Sequence, residues 1–285
     1  LPTHRTVLAV VLARLRSQRT RLLAFAGTEA SRSSEVVHDT RVALRRLAAV
    51  ALLSRGVPAR GDGEPLRIAA RDLRRRLTPA RTAEVCRELL LSRASPGKKG
   101  QRARSLADEL FPVADGPVPV DPEALREVAR LADDRMVTLR NAAASAAGRA
   151  RLERRLARRV ERRCLRAVER LARRLPPRLE DIHRVRILAK QARYALEAAQ
   201  PFLTNAVPIL AALEEMQETA GDAHDLQELE AAITAASRGR ADVATLQGEI
   251  RAEAVAAAER AQESGRKVLS VLSARPPKWR RAGKA

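Results

Sequence analysis

Apolar residues recur at three- and four-residue intervals along almost the whole chain, the spacing that places them on one face of a helix. Val7, Leu8, Val11, Leu12, Leu15, Leu22 and Leu23 predict a first helix over 3–26, closed by Gly27. A second begins at Ser33 or Ser34, hydroxyls suited to capping exposed amides, and runs to Arg55 ahead of Gly56 and Pro58. Further helices are predicted over 66–77, 81–93 and 101–111, with Thr78-Pro79 as a break. Pro112, Gly116, Pro117 and Pro119 then form a linker, and Asp121-Pro122 reads as a cap with proline in the first helical turn. The chain is thereby divided into two structural halves, 1–115 and 116–285. In the second half the spacing predicts helices to Ala147, over 149–174, over 178–199, from Ala206 to Thr219, and one or two more over 240–273. Pro276-Pro277-Lys278-Trp279-Arg280-Arg281 reads as a mobile basic tail. The expected class is all-α.

Charge narrows the picture. The 285 residues carry 55 Lys plus Arg against 34 Asp plus Glu, a net +21, which predicts a polyanionic partner: nucleic acid, an anionic membrane surface or a phosphate polymer. Only six of the cations are lysine, and arginine offers a planar fork of donors to two phosphate oxygens at once. Residues 149–174 are the most basic stretch, yet Leu152, Leu156, Val160, Cys164, Val168 and Leu171 keep an apolar seam, so an amphipathic helix is expected there. Aromatic residues are 2% of the chain, too few for the stacking platforms that single-stranded nucleic-acid binders use. Duplex DNA, held by its phosphates, is not excluded by that argument. Cys86 and Cys164 lack the spacing of a disulfide framework or a metal site and read as small buried residues of a protein in a reducing cytoplasm. The apolar run Val7 to Ala13 falls far short of the roughly 20 residues of a bilayer span, so neither a transmembrane segment nor a signal peptide is expected.

Two stretches carry candidate chemistry. In Val37-His38-Asp39-Thr40-Arg41-Val42-Ala43-Leu44-Arg45-Arg46 and in Ile182-His183-Arg184-Val185-Arg186-Ile187-Leu188-Ala189-Lys190, a histidine is followed by arginine at offset three and by arginine or lysine at offset seven. On a helix these offsets fall roughly 60° and 20° from the histidine, so all three cations share a face. Arg193, at offset ten, is expected to extend that face by a further turn. Downstream of the second stretch stands Gly221-Asp222-Ala223-His224-Asp225; downstream of the first, at nearly the same separation, stands Arg81. The cationic stripe therefore occurs twice, in the same order.

Both stretches resemble the H-x-x-R-x-x-x-[RK] helices of the CHAD family, the conserved histidine α-helical domain. Gly221 to Asp225 is similar to that family's G-D-x-H-D, and Leu73 to Thr82 resembles its L-x-x-x-L-G-x-x-[RH]-D, with Arg81 matching the basic position and Thr82 replacing the Asp. The resemblance implies two helical bundles related by an internal pseudo-two-fold repeat, around a basic central cavity that binds inorganic polyphosphate in the cytoplasm, at polyphosphate granules. It implies a ligand-contacting set of His38, Arg41, Arg45, Arg46, Arg71, Arg74, Arg81, Arg159, Arg163, His183, Arg186, Lys190, Arg193 and His224. Asp39 and Asp225 read as orienting or capping groups. An imidazolium beside phosphate is favoured electrostatically, so tighter binding is expected at pH 6 than at pH 8.

Catalysis is not expected, because the chain lacks a G-x-x-x-x-G-K-[ST] loop, a zinc signature and an alternating Glu-x-Glu-x-Lys strand. No metal or cofactor is implied. Non-sequence-specific binding to the duplex phosphate backbone stands as the alternative.

Overall fold

The apolar seams fold as ten α-helices in the computed structural model, which describes residues 6–27, 34–59, 62–94, 97–112, 121–236 and 243–279. They are α1 (Val7–Gly27), α2 (Ser34–Ser54), α3 (Glu64–Arg76), α4 (Thr78–Leu91), α5 (Lys98–Leu110), α6 (Pro122–Ala142), α7 (Ala146–Ala172), α8 (Ile182–Ala199), α9 (Ala206–Ala236) and α10 (Ala244–Ala274). The fold is all-α. Among the described residues no helix is long and apolar enough to cross a membrane.

Local chemistry sets the helix ends. The Asp121 carboxylate accepts from the amides of Glu123 (3.0 Å) and Ala124 (3.2 Å), while Pro122 occupies a first-turn position that has no amide to waste. Ser145 Oγ accepts from the Gly148 amide at 3.0 Å and starts α7 afresh after the turn at 143–145. Glu153, on α7, caps α1 from outside by accepting from the amides of Val7 and of Leu8, the latter at 3.0 Å. In α7 the seam of Leu152, Leu156, Val160, Cys164, Val168 and Leu171 is buried; each fully buried leucine contributes about 2 kcal/mol. That burial makes the arginine-rich segment a folded wall.

Three elements differ from the sequence expectation. Pro79 sits in the first turn of α4, so the break falls at Leu77 alone and Arg81 is already helical. Helix α9 runs unbroken through Gly221, on the face that meets Arg186 of α8. The expected mobile tail is docked as far as it is described: Leu203 pairs with Trp279 and Thr204 with Lys278 in a two-stranded antiparallel ribbon, and the Trp279 ring stacks on Phe202 at 5.5 Å. Arg280 and Arg281 lie outside the described residues.

The buried apolar residues form two clusters. One joins α1, α2, α3, α6, α7, α8, the first part of α9 and the end of α10; the other joins α4, α5, Ile182 at the start of α8, the rest of α9 and the remainder of α10. Each draws residues from both 1–115 and 116–285. The two motif helices, α2 and α8, pack against each other, which brings the stripes side by side.

Candidate anion-binding site

Helices α2, α3, α4, α7, α8 and α9 enclose a cavity of about 1160 Å³. Helix α2 presents His38, Arg41 and Arg45 to it, and α8 presents His183, Arg186 and Lys190. The apolar residues of those same helices, among them Leu44, Leu47, Val185 and Ala189, are fully buried and fix which way the polar face turns. Arg71 and Arg74 enter from α3, Arg159 and Arg163 from α7, and His224 from α9. Eleven of the fourteen residues singled out in the sequence thus line one space.

Arg46 and Arg193 do not, because carboxylates outside the cavity engage both. Arg46 Nε lies 3.4 Å from Glu197 Oε2, and Arg193 donates to Glu197 Oε1 at 2.9 Å and to Glu214 Oε1 at 2.6 Å. Both are engaged by carboxylates; Arg46 borders a separate, smaller cavity of about 230 Å³. Arg81 belongs to α4, and its side chain lies outside the described residues.

The cavity also holds arginines that the repeat does not mark: Arg55, Arg67 and Arg75 on the α2–α3 side, and Arg162, Arg166 and Arg170 on α7. The α7 set is visible in the sequence as the four-residue spacing of 158, 162, 166 and 170. Its orientation was not, because that depends on how α7 packs on α8.

The second motif explains itself in three contacts. Gly221, His224 and Asp225 share one face of α9 and meet α8. An ideal Cβ at Gly221 would lie 3.6 Å from Arg186 Nη2, Asp225 Oδ1 lies 3.5 Å from Arg186 Nη1, and the His183 and His224 rings stand 4.4 Å apart. His183 Nδ1 is 3.2 Å from His224 Nε2. Thr82, where the first copy departs from the pattern, lines the same cavity with a hydroxyl in place of a carboxylate.

Crowded cations with few counter-charges disfavour their own protonation. Burial, then Arg186 and Arg45, push the Lys190 ammonium down to about 6. Burial, then Arg186 and His183, push His224 down to about 4. Arg163 falls to about 10, from burial and then Arg159 and Arg55. Arg186, Arg159 and Arg74 are lowered too, in each case first by burial. The Nε atoms of Arg159 and Arg186 are buried without a hydrogen-bond partner, an arrangement that costs free energy until an acceptor arrives. Among the described residues, no group of three or more His, Cys, Asp or Glu is placed to hold a metal ion.

An all-helical fold, six of whose helices wall a cavity with guanidinium, ammonium and imidazole groups, defines a class of proteins built about a cationic hollow. The chain belongs to the CHAD family: the model of the CHAD domain matches residues 13–234. Its fold is similar to the crystal structure of the CHAD domain from the plant Ricinus communis, with 20% sequence identity, a TM-score of 0.62, and coverage of 98% of this chain and 96% of that one. A comparison with curated proteins finds no match.

Proposed function

We propose that this protein binds inorganic polyphosphate in the cavity between α2, α3, α7, α8 and α9, without catalysing a reaction on it. The observation that carries the reading is the pair of stripes, His38-Arg41-Arg45 and His183-Arg186-Lys190, brought to one enclosed space with donors unspent at Arg186. A linear polyanion satisfies those donors and screens cations that otherwise repel. It needs no aromatic platform, and Tyr194 is the one aromatic side chain lining the cavity among the described residues. Membership of the CHAD family points to the same ligand class, and polyphosphate granules in the cytoplasm are where such a binder would act.

A competition titration tests the reading. At about 0.15 M salt and matched phosphate concentration, long-chain polyphosphate is expected to displace duplex DNA, and replacement of His38, Arg41, His183 and Arg186 by Ala is expected to abolish the advantage. Preference for DNA would transfer the function to the duplex-backbone alternative. Release of orthophosphate in the presence of a divalent metal would overturn the non-catalytic part.

A further inference from the structure

Helix α7 carries cations beyond those it gives to the cavity. Relative to Arg162, which lines the cavity, Arg151, Arg155 and Arg158 lie at offsets that fall within about 40° of the same direction. All three are exposed, and among the described residues none has a carboxylate at ion-pair distance. Helix rise puts Arg151 about 17 Å from Arg162 along the axis. Arg162 stands at one edge of the cavity-lining arc, since Arg159, Arg163, Arg166 and Arg170 lie about 40–100° to one side of it, so the exposed stripe runs from that edge along α7 toward its start.

Some exposed cations on other helices are paired; others, such as Arg140 on α6 and Arg184 on α8, carry no ion pair either among the described residues. Helix α6 sets Arg126 against Glu123 and Arg130 against Glu127 and Asp134. Helix α10 sets Arg266 against Glu263 and Lys267 against Glu215. Of the carboxylates within the basic run of α7, Glu153 is turned to the opposite face and spent on the amides of Val7 and Leu8, and Glu161 lies about 100° round the helix from Arg162. In the other direction the stripe ends at Glu169, which lies within about 20° of the Arg162 direction. The uncompensated track thus has an inner end in the cavity and an outer end at Arg151.

The geometry points to a second contact zone for the same polymer: the Arg151-Arg155-Arg158 stripe holds the part of a long phosphate chain that emerges from the cavity. This rests on the polyphosphate reading of the cavity. Continuity favours one strand running through both zones over a separate partner, because a chain leaving the cavity along this face of α7 meets Arg158, Arg155 and Arg151 in turn, while Glu161 and Glu153 lie about 100° and 180° round the helix from Arg162. The stripe makes the protein selective for long chains, since only a chain longer than the cavity reaches it.

The test compares tripolyphosphate with long-chain polyphosphate on the full chain, as wild type and as the R151Q/R155Q/R158Q variant; the substitutions are exposed and leave the core untouched. The variant is expected to bind tripolyphosphate as wild type does and to bind the long chain about tenfold more weakly. Its log K against log salt slope for the long chain is expected to be shallower by about two. Unchanged long-chain affinity would overturn the proposal, as would an equal loss for tripolyphosphate, which would mark the stripe as a contributor to the general field. Loss confined to duplex DNA would also overturn it and assign the stripe to nucleic acid. Failure of wild type to bind either phosphate would instead sink the cavity reading, and this proposal with it.

Discussion

Arg186 Nη1 stands 3.5 Å from Asp225 Oδ1, and this pair joins the second stripe helix to the glycine-aspartate-histidine motif of α9. Arg186 is mostly shielded and Asp225 about one-third exposed, at 20% and 32% of their side-chain surface. Asp225→Asn therefore removes a counter-charge from a guanidinium that burial already disfavours. A loss of about 1 kcal/mol is expected after solvent screening, read as a lower midpoint in urea. Added polyphosphate should restore the midpoint, since the anion replaces the missing carboxylate.

Lys190 sets the pH dependence. In the empty protein its pKa is about 6, below that of the unfolded chain, so between pH 6 and 10 the unfolded state holds a proton that the folded state lacks. Stability of the empty protein is accordingly expected to rise with pH across that window. An anion in the cavity draws the proton back, so binding takes up a proton and weakens as pH rises from 6 to 8, by at most about tenfold per unit. Thermal melts and titrations in two buffers of different ionisation enthalpy check both signs. Lys190→Met should flatten each profile. The direction of the binding effect is the same as in the histidine-based expectation, and His224, held at about 4, is neutral at pH 6 when the cavity is empty.

Glu64 restrains two cavity cations. Its carboxylate accepts from Arg55 Nη1 at 3.1 Å and Arg67 Nε at 3.0 Å, and the Arg67 bond, aided by Arg55, holds it down to about 2. Glu64→Gln is expected to raise polyanion affinity several-fold by freeing both arginines, and to lower stability near neutral pH. The stability difference from wild type should shrink as pH falls from about 4.5 toward 2, where wild-type Glu64 is itself protonated. An affinity equal to or below wild type would rule out the restraint.

Two helical glycines give opposite outcomes. At Gly221 an added Cβ meets Arg186 at an ordinary 3.6 Å, so Gly221→Ala is expected to be neutral or to stabilise by up to about 1 kcal/mol through helix propensity. At Gly265 the Cβ would lie 2.7 Å from Pro177 Cδ, in a rigid ring, and Gly265→Ala is expected to cost about 1–3 kcal/mol. Denaturant midpoints distinguish the two.

The helices were legible because an apolar seam is a local, periodic signal, and it survived even where α7 is mostly arginine. The stripes were legible for the same reason, at offsets three and seven. Arg46 and Arg193 misled because carboxylates hold them outside the cavity: Glu197 reaches Arg46 from another helix and Arg193 from one turn along α8, and Glu214 is added to Arg193 from α9. Gly221 read as an interruption because glycine disfavours helix, yet the residues on either side of it carry α9 through without a break. Some pairings are local, such as Arg126 with Glu123 and Arg130 with Asp134, but others are a property of packing: nothing in the local sequence says that Glu153 serves the amides of Val7 and Leu8.

Helix α9 supplies Ile209, Leu213 and Met216 to one apolar cluster and Ala223, Leu226, Leu229 and Ile233 to the other, with no break between. A rod common to both interiors cannot let one dissolve while the other stands. Calorimetry should record a single cooperative endotherm, so that whatever clamps the hollow at the middle of that rod raises the melting of the whole molecule together.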